Sequence, residues 1–352
     1  MAVLVLTGCS SGLGARVLSE LAHSLPIGST IFSGYRSSTP PPTPTRLSKE
    51  SQVQWIPLDL TSLDSVDQFV QQVKEKLRSR RSGGIDCILL NAATWNNNFR
   101  TTVIEGGEGV WAEEFVVNHL AQFRLAKSLL PLLSNSSTPS GSRSRIVFTS
   151  SSLQNSLGPQ ISSIEKVLSV LQNSADPQSA ARNRYASSKL LQSLSFYHLQ
   201  KEMQSEGKAI DIVGVSPGFV PTTGLSRDAP WWQQLLMKWV IYYLPFCSTE
   251  EQGTGKILET LNYLLPSNPF PSTLDEQLSS TSPTNSPDST SSSRLVFHPD
   301  SLAPTAAKSS SKLYEESSNA HRLLSSATST YFGRQQPTCL AQIANARQQR
   351  VV

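Results

Sequence analysis

Paired cysteines, blocks of like charge and long apolar runs are all missing from this 352-residue chain. Its four cysteines, Cys9, Cys87, Cys247 and Cys339, show no paired spacing, which argues against a disulfide framework and for reduced thiols. The net charge is only +4, with no run of five or six like charges, so no nucleic-acid partner is expected. Arg78, Arg80 and Arg81 form the densest basic cluster and read as a solvated helix end. No metal ligand set is expected, and no internal repeat is visible. The first apolar strand begins two residues after Met1, leaving no room for the charged and apolar regions of a cleaved leader. A cytoplasmic protein is expected, with peripheral contact to an intracellular membrane as an option.

What is present is alternation. Short apolar runs at Val3–Leu6, Thr30–Gly34, Gln54–Leu58, Cys87–Asn91, Arg145–Thr149 and Ile210–Val215 read as strands. Helical patterns at Gly12–Ser24, Ser65–Leu77, Trp111–Leu133, Tyr185–Gln204 and Ser248–Leu265 lie between and after them. Fully apolar strands separated by helices predict an α/β fold, a doubly wound parallel sheet with helices on both faces. Composition breaks the pattern at Thr39–Thr45 and Ser134–Ser144, then decisively at Pro266–Ser293, where Ser, Pro and Thr dominate and no fixed structure is predicted. The expected organisation is one catalytic domain over 1–265, a linker over 266–293 and a C-terminal extension over 294–352. In that extension Arg294–His298 reads as a last short strand and Ser311–Ser326 as a helix.

Thr7-Gly8-x-x-x-Gly12-x-Gly14 closes the first strand and opens the first helix. Glycines there permit a tight turn and close approach of backbone to a pyrophosphate, while the helix N-terminus offers N–H donors. Gly8, Ser10, Gly12, Leu13 and Gly14 are accordingly expected at a dinucleotide. The second strand runs out through Gly34-Tyr35-Arg36-Ser37-Ser38 without a carboxylate. An acidic residue at this point suits NAD, whereas an arginine accommodates the extra phosphate of NADP. Arg36 therefore points to NADP(H), the alternative being a plain surface charge. Asp59, followed by Leu60, can accept from an adenine amino group or cap the next helix. Asn91-Ala92-Ala93 ends the fourth strand, where the asparagine can tie neighbouring backbone together. In Arg184-Tyr-Ala-Ser-Ser-Lys189, Tyr185 and Lys189 are four apart and share a helix face, so the ammonium is expected to favour an ionised phenol.

In this order the residues resemble the short-chain dehydrogenase/reductase family, whose folds are Rossmann-like, over about Ala2 to Leu265. The matching elements are the glycine loop, Asp59, Asn91-Ala-Ala, Asn118 in Phe-Val-Val-Asn-His, the serines after Arg145-Ile-Val-Phe-Thr, Tyr185-x-x-x-Lys189 and Pro217-Gly218. Ala93 departs from the family's glycine and should narrow the space beside the nicotinamide ribose. The resemblance implies Tyr185 as proton donor or base, and Lys189 as the group that lowers its pKa and binds ribose. It implies Ser151 as donor to the substrate oxygen, ahead of Ser152 and Ser150, and Asn118 as anchor of a water leading to Lys189. Pro217, Gly218, Val220 and Thr222 would lie against the nicotinamide and phosphates.

Two departures bear on the substrate. An insert, Gly158–Asn183, separates Ser151 from Tyr185; its apolar stretch Ile161–Leu171 either roofs the site or covers core. Trp231–Phe246, within a lid region 229–246, is apolar on most of its helical circumference, which suits a greasy lid, an interfacial helix or a dimer contact. These features resemble the branch holding retinol dehydrogenase-like enzymes, protochlorophyllide reductases and sterol 3-keto reductases. The expectation is an NADP(H)-dependent enzyme interconverting a carbonyl and an alcohol on a hydrophobic sterol, retinoid, long-chain or polyketide-type substrate. The alternatives are reduction of a conjugated double bond and a non-catalytic NADP-binding scaffold.

Overall fold

Seven strands line up in the order β3-β2-β1-β4-β7-β8-β9 in the computed structural model, the first six parallel and the last antiparallel. The structure describes residues 1–78, 84–104, 110–133, 143–161, 163–218, 220, 248–261 and, for the backbone alone, 294–295. The strands are β1 Val3–Thr7, β2 Thr30–Tyr35, β3 Gln52–Pro57, β4 Cys87–Leu90, β7 Ser144–Thr149, β8 Ile210–Val215 and β9 Arg294–Leu295. A separate antiparallel pair joins β5 Thr101–Val103 to β6 Val110–Ala112. The helices are α1 Gly12–Ser24, α2 Leu63–Arg78, the single turn α3 Glu113–Phe115, α4 Ala121–Leu133, α5 Ile164–Gln172, α6 Ala181–Ser205 and α7 Glu250–Leu261. Between α3 and α4 the chain widens into a π-helical turn, Val116–Leu120.

Helices cover both faces of the sheet. On one, α2, α4 and α6 pack Val73, Leu129 and Phe196 against Ile88, Ile146 and Phe148. On the other, α1 and α7 pack Val17, Leu21 and Ile257 against Leu4, Leu89 and Val147. Because neighbouring residues of a strand point to opposite faces, burial on both sides requires an uninterrupted apolar run, and β1 and β4 are buried throughout. Phe148 of β7 stacks on Phe196 of α6 with ring centres 4.7 Å apart, which sets the distance between sheet and helix. Each fully buried side chain of this kind contributes about 1.5–3 kcal/mol.

Element ends differ from the sequence reading by a few residues, as where the long helix expected at Tyr185–Gln204 begins four residues earlier, at Ala181. The helix expected from Trp111 begins at Glu113, because Val110–Ala112 pairs with Thr101–Val103 instead. The insert helix starts at Ile164, where the Ser163 hydroxyl accepts from the Lys166 amide at 3.3 Å and caps it. Of the expected strand at Arg294–His298, the described part is Arg294–Leu295, which pairs with β8. In the insert, Ile161, Ile164, Val167, Val170 and Leu171 are buried with Phe115, Leu120, Leu191 and Leu194. This stretch therefore covers core alongside α6. Arg80 and Arg81, the lid at 229–246, the linker 266–293, the helix at Ser311–Ser326, Cys247 and Cys339 lie outside the described residues. No helix among the described residues is long and apolar enough to cross a membrane.

Candidate active site

The sheet order reverses at β1, which has β2 on one side and β4 on the other. In open parallel sheets, the crevice beyond the carboxyl ends at such a point is where ligands bind. The β1–α1 loop fills its floor. Gly8 and Gly12 have φ of +69° and +56°, in the left-handed region that glycine enters without penalty. A Cβ on Gly8 would approach the Ala92 backbone to 2.5 Å, so this loop and the end of β4 are pressed together. Asn91 Nδ2 donates to the Gly8 carbonyl at 3.1 Å, and the Ala92 amide donates to Thr7 Oγ1 at 3.2 Å. Thr149, ending β7, donates its hydroxyl to Asn91 Oδ1 at 3.0 Å. Asn91 thus ties together the ends of three strands, as its place in the sequence implies.

This cradle fits a dinucleotide. The N-cap Ser11 of α1 makes no side-chain cap bond, so its hydroxyl satisfies none of the first-turn N–H groups that favour an anion. Ser10 is exposed beside them, whereas the Leu13 side chain turns inward against Gly253 of α7. Arg36 is exposed just past β2, in reach of solvent and of any phosphate there. Asp59 Oδ1 accepts from the amide and hydroxyl of Thr61, at 3.0 and 2.8 Å, closing a local turn ahead of α2. Leu60 is buried under that turn. Pro217 and Val220 are buried and Gly218, with φ of +87°, is exposed; Thr222 lies outside the described residues.

Beyond β7 the reactive groups assemble. The Ser151 hydroxyl accepts from the Leu153 amide at 3.3 Å and lies beside the Tyr185 phenol. Ser150 is instead locked in a buried network with Gln154 and Ser193, and Ser152 is exposed. Of the three serines, Ser151 is the one that acts on the phenol. Lys189 is fully buried; its Nζ donates to the Thr149 carbonyl at 2.7 Å and to Gln192 Oε1 at 3.1 Å, and lies 5.9 Å from the centre of the Tyr185 ring. Burial pushes the Tyr185 phenol up to about 12, with the Ser151 hydrogen bond opposing, and pushes Lys189 down to about 7. This corrects the expectation that the lysine would pull the phenol down: both groups lose water, and desolvation favours the neutral form of each.

Asn118 sits in the π-helical turn. Its Oδ1 accepts from the Thr94 amide at 2.7 Å, and its Nδ2 donates to the Thr94 carbonyl and the Ser188 hydroxyl, each at 3.0 Å. The side chain therefore clamps the segment after β4 to α6. Three further residues enter the site that the motifs did not single out. Trp95 stacks on Tyr185 with ring centres 4.8 Å apart and planes 29° from parallel. Arg184 donates to the Asn96 and Asn98 carbonyls and pairs with buried Glu114. Gln192 holds the lysine. For Arg184 and Gln192 a signal existed, since both lie on α6 within a turn of Tyr185 or Lys189.

A family model described as short chain dehydrogenase matches residues 2–163. The chain is 31% identical over 227 residues to a short-chain dehydrogenase/reductase of Pestalotiopsis microspora, covering 64% of this chain and 72% of that protein. It is 29% identical over 252 residues to the polyprenol dehydrogenase of Homo sapiens, covering 69% of this chain and 68% of that one. A solved structure from Mycobacterium paratuberculosis superposes with a TM-score of 0.50 at 21% identity, over 76% of this chain and 78% of that one, which bears on the fold alone.

Proposed function

The chain belongs to the short-chain dehydrogenase/reductase family, and from that premise we propose that it is an NADP(H)-dependent oxidoreductase interconverting a carbonyl and an alcohol on a hydrophobic substrate. The observation that carries this reading is the Ser151–Tyr185–Lys189 group, tied from Lys189 through Thr149 and Asn91 to the glycine loop at the sheet's reversal point. A bound nicotinamide supplies or accepts the hydride. Everything else falls to the protein: as the carbonyl carbon is reduced, negative charge develops on its oxygen and must meet donors already in place. Ser151 and Tyr185 are those donors. Tyr185 passes its proton to the oxygen, and the phenolate left behind faces Lys189, whose protonated form offsets the buried charge. A phenol held neutral by burial carries, at neutral pH, the proton that reduction consumes.

Arg36 at the end of β2, with no carboxylate in that turn, supports NADP(H) over NAD(H). The substrate class rests on the apolar Trp231–Phe246 segment and on similarity to a relative named for a polyprenol. The family's sterol, retinoid, long-chain and polyketide-type carbonyls are the set to try. The test is consumption of NADPH and NADH against apolar aldehydes, steroid ketones and retinals. Turnover with NADPH on at least one of them is expected; oxidation of the cofactor by none would remove the reading.

A further inference from the structure

We propose that Trp95 is a positioning residue for Tyr185, holding the phenol in its reactive place and covering one face of its ring. The claim rests on Tyr185 being the proton donor argued above, and it goes beyond the serine, tyrosine, lysine and asparagine of the motif. Two observations and one general preference carry it. The indole lies nearly flat on the phenol ring, 4.8 Å between centres. Offset stacking at this separation is the favoured arrangement of two aromatic rings. The residues on either side of Trp95 are each held twice: Thr94 by both polar atoms of the Asn118 amide, and Asn96 by Glu114 at its N–H and Arg184 at its carbonyl.

The last of these closes a mechanical loop. Arg184 immediately precedes Tyr185 on α6, so the helix that carries the phenol also grips the strap that carries its covering indole. The guanidinium reaches Asn96 at 2.6 Å and Asn98 at 3.0 Å, lies over Phe99 at 5.1 Å, and is itself 3% exposed against a fully buried Glu114. A strap fixed so heavily at Thr94 and Asn96 has little freedom to lift Trp95. The phenol keeps one orientation toward Ser151, and water is kept from that face of the ring.

The experiment compares wild type, Trp95→Phe and Trp95→Ala by two readouts. Nitration of tyrosines with tetranitromethane, mapped by mass spectrometry, needs no turnover. Tyr185 should resist in wild type and Trp95→Phe and be modified faster by about tenfold in Trp95→Ala, the rate equivalent of one aromatic stack. Tyr35 and Tyr197, whose ring partners are Trp55 and His198, should not change. In the second readout, kcat should fall by a similar factor in Trp95→Ala with the KM for NADPH unchanged, and recover in Trp95→Phe. Should Trp95→Ala fail to fold, Trp95→Leu takes its place. Equal nitration of Tyr185 in all three proteins, or a Trp95→Phe as impaired as Trp95→Ala, overturns the proposal. Absence of turnover in every protein, wild type included, would count against the oxidoreductase reading while nitration still decides the role of Trp95.

Discussion

At Lys189 and Tyr185, burial acts on an acid and a base in opposite directions and leaves both closer to neutral. The linkage to stability follows from the signs. A lysine at about 7 in the folded protein and 10.5 when exposed binds fewer protons folded than unfolded across that window. Stability from this group is therefore lowest below about 7 and is recovered as pH rises toward 10.5. The melting temperature of wild type relative to Lys189→Met should climb over that range; a constant difference would mean the lysine is not held below its usual value. For the reaction, Tyr185→Phe should cut turnover by about a hundredfold or more while nucleotide affinity, read from NADPH fluorescence, stays as it was. Residues of this kind were legible in the sequence because their spacing is local: four positions along one helix fix the relation of Tyr185 to Lys189. Trp95 was not legible. Its role depends on contact with a helix some ninety positions away, as the separation of 88 between Asn96 and Arg184 illustrates.

The elements that build the site are themselves held by close approach. A Cβ added at Gly14 would fall on the Gly8 carbonyl and within 2.6 Å of Asn91 Nδ2. Gly14→Ala should therefore lower the melting temperature and weaken NADPH binding together, since the loop and the end of β4 cannot separate without losing the cradle. Binding and melting at wild-type values would show that the loop yields. The strap after β4 depends on a buried ion pair. Arg184→Leu leaves Glu114 uncompensated, and chemical denaturation should show a loss of about 3–5 kcal/mol. Most strands and helices were readable in advance, because burial on both faces writes an apolar run and one-sided burial writes a helical stripe. The start of the helix after β6 was misplaced at Trp111 for a physical reason. Val110–Ala112 satisfies its backbone by pairing with Thr101–Val103, a partner that helical periodicity does not reveal.

Over the whole molecule, the reversal of strand order at β1 and β4 brings the glycine loop, Asn91, Thr149 and the Ser151–Tyr185–Lys189 group to the carboxyl ends of the central strands. The proposed cofactor preference is tested at that same end. Arg36→Ala should weaken NADPH several-fold more than NADH, and equal effects on both would assign Arg36 to the surface alone. The central claim, that this site transfers hydride to a carbonyl with Tyr185 as proton donor, is tested most directly by NADPH consumption in wild type and Tyr185→Phe across apolar aldehydes, steroid ketones and retinals. The account predicts turnover by wild type on at least one of them, lost in Tyr185→Phe with NADPH binding intact. Turnover that survives in Tyr185→Phe would contradict it.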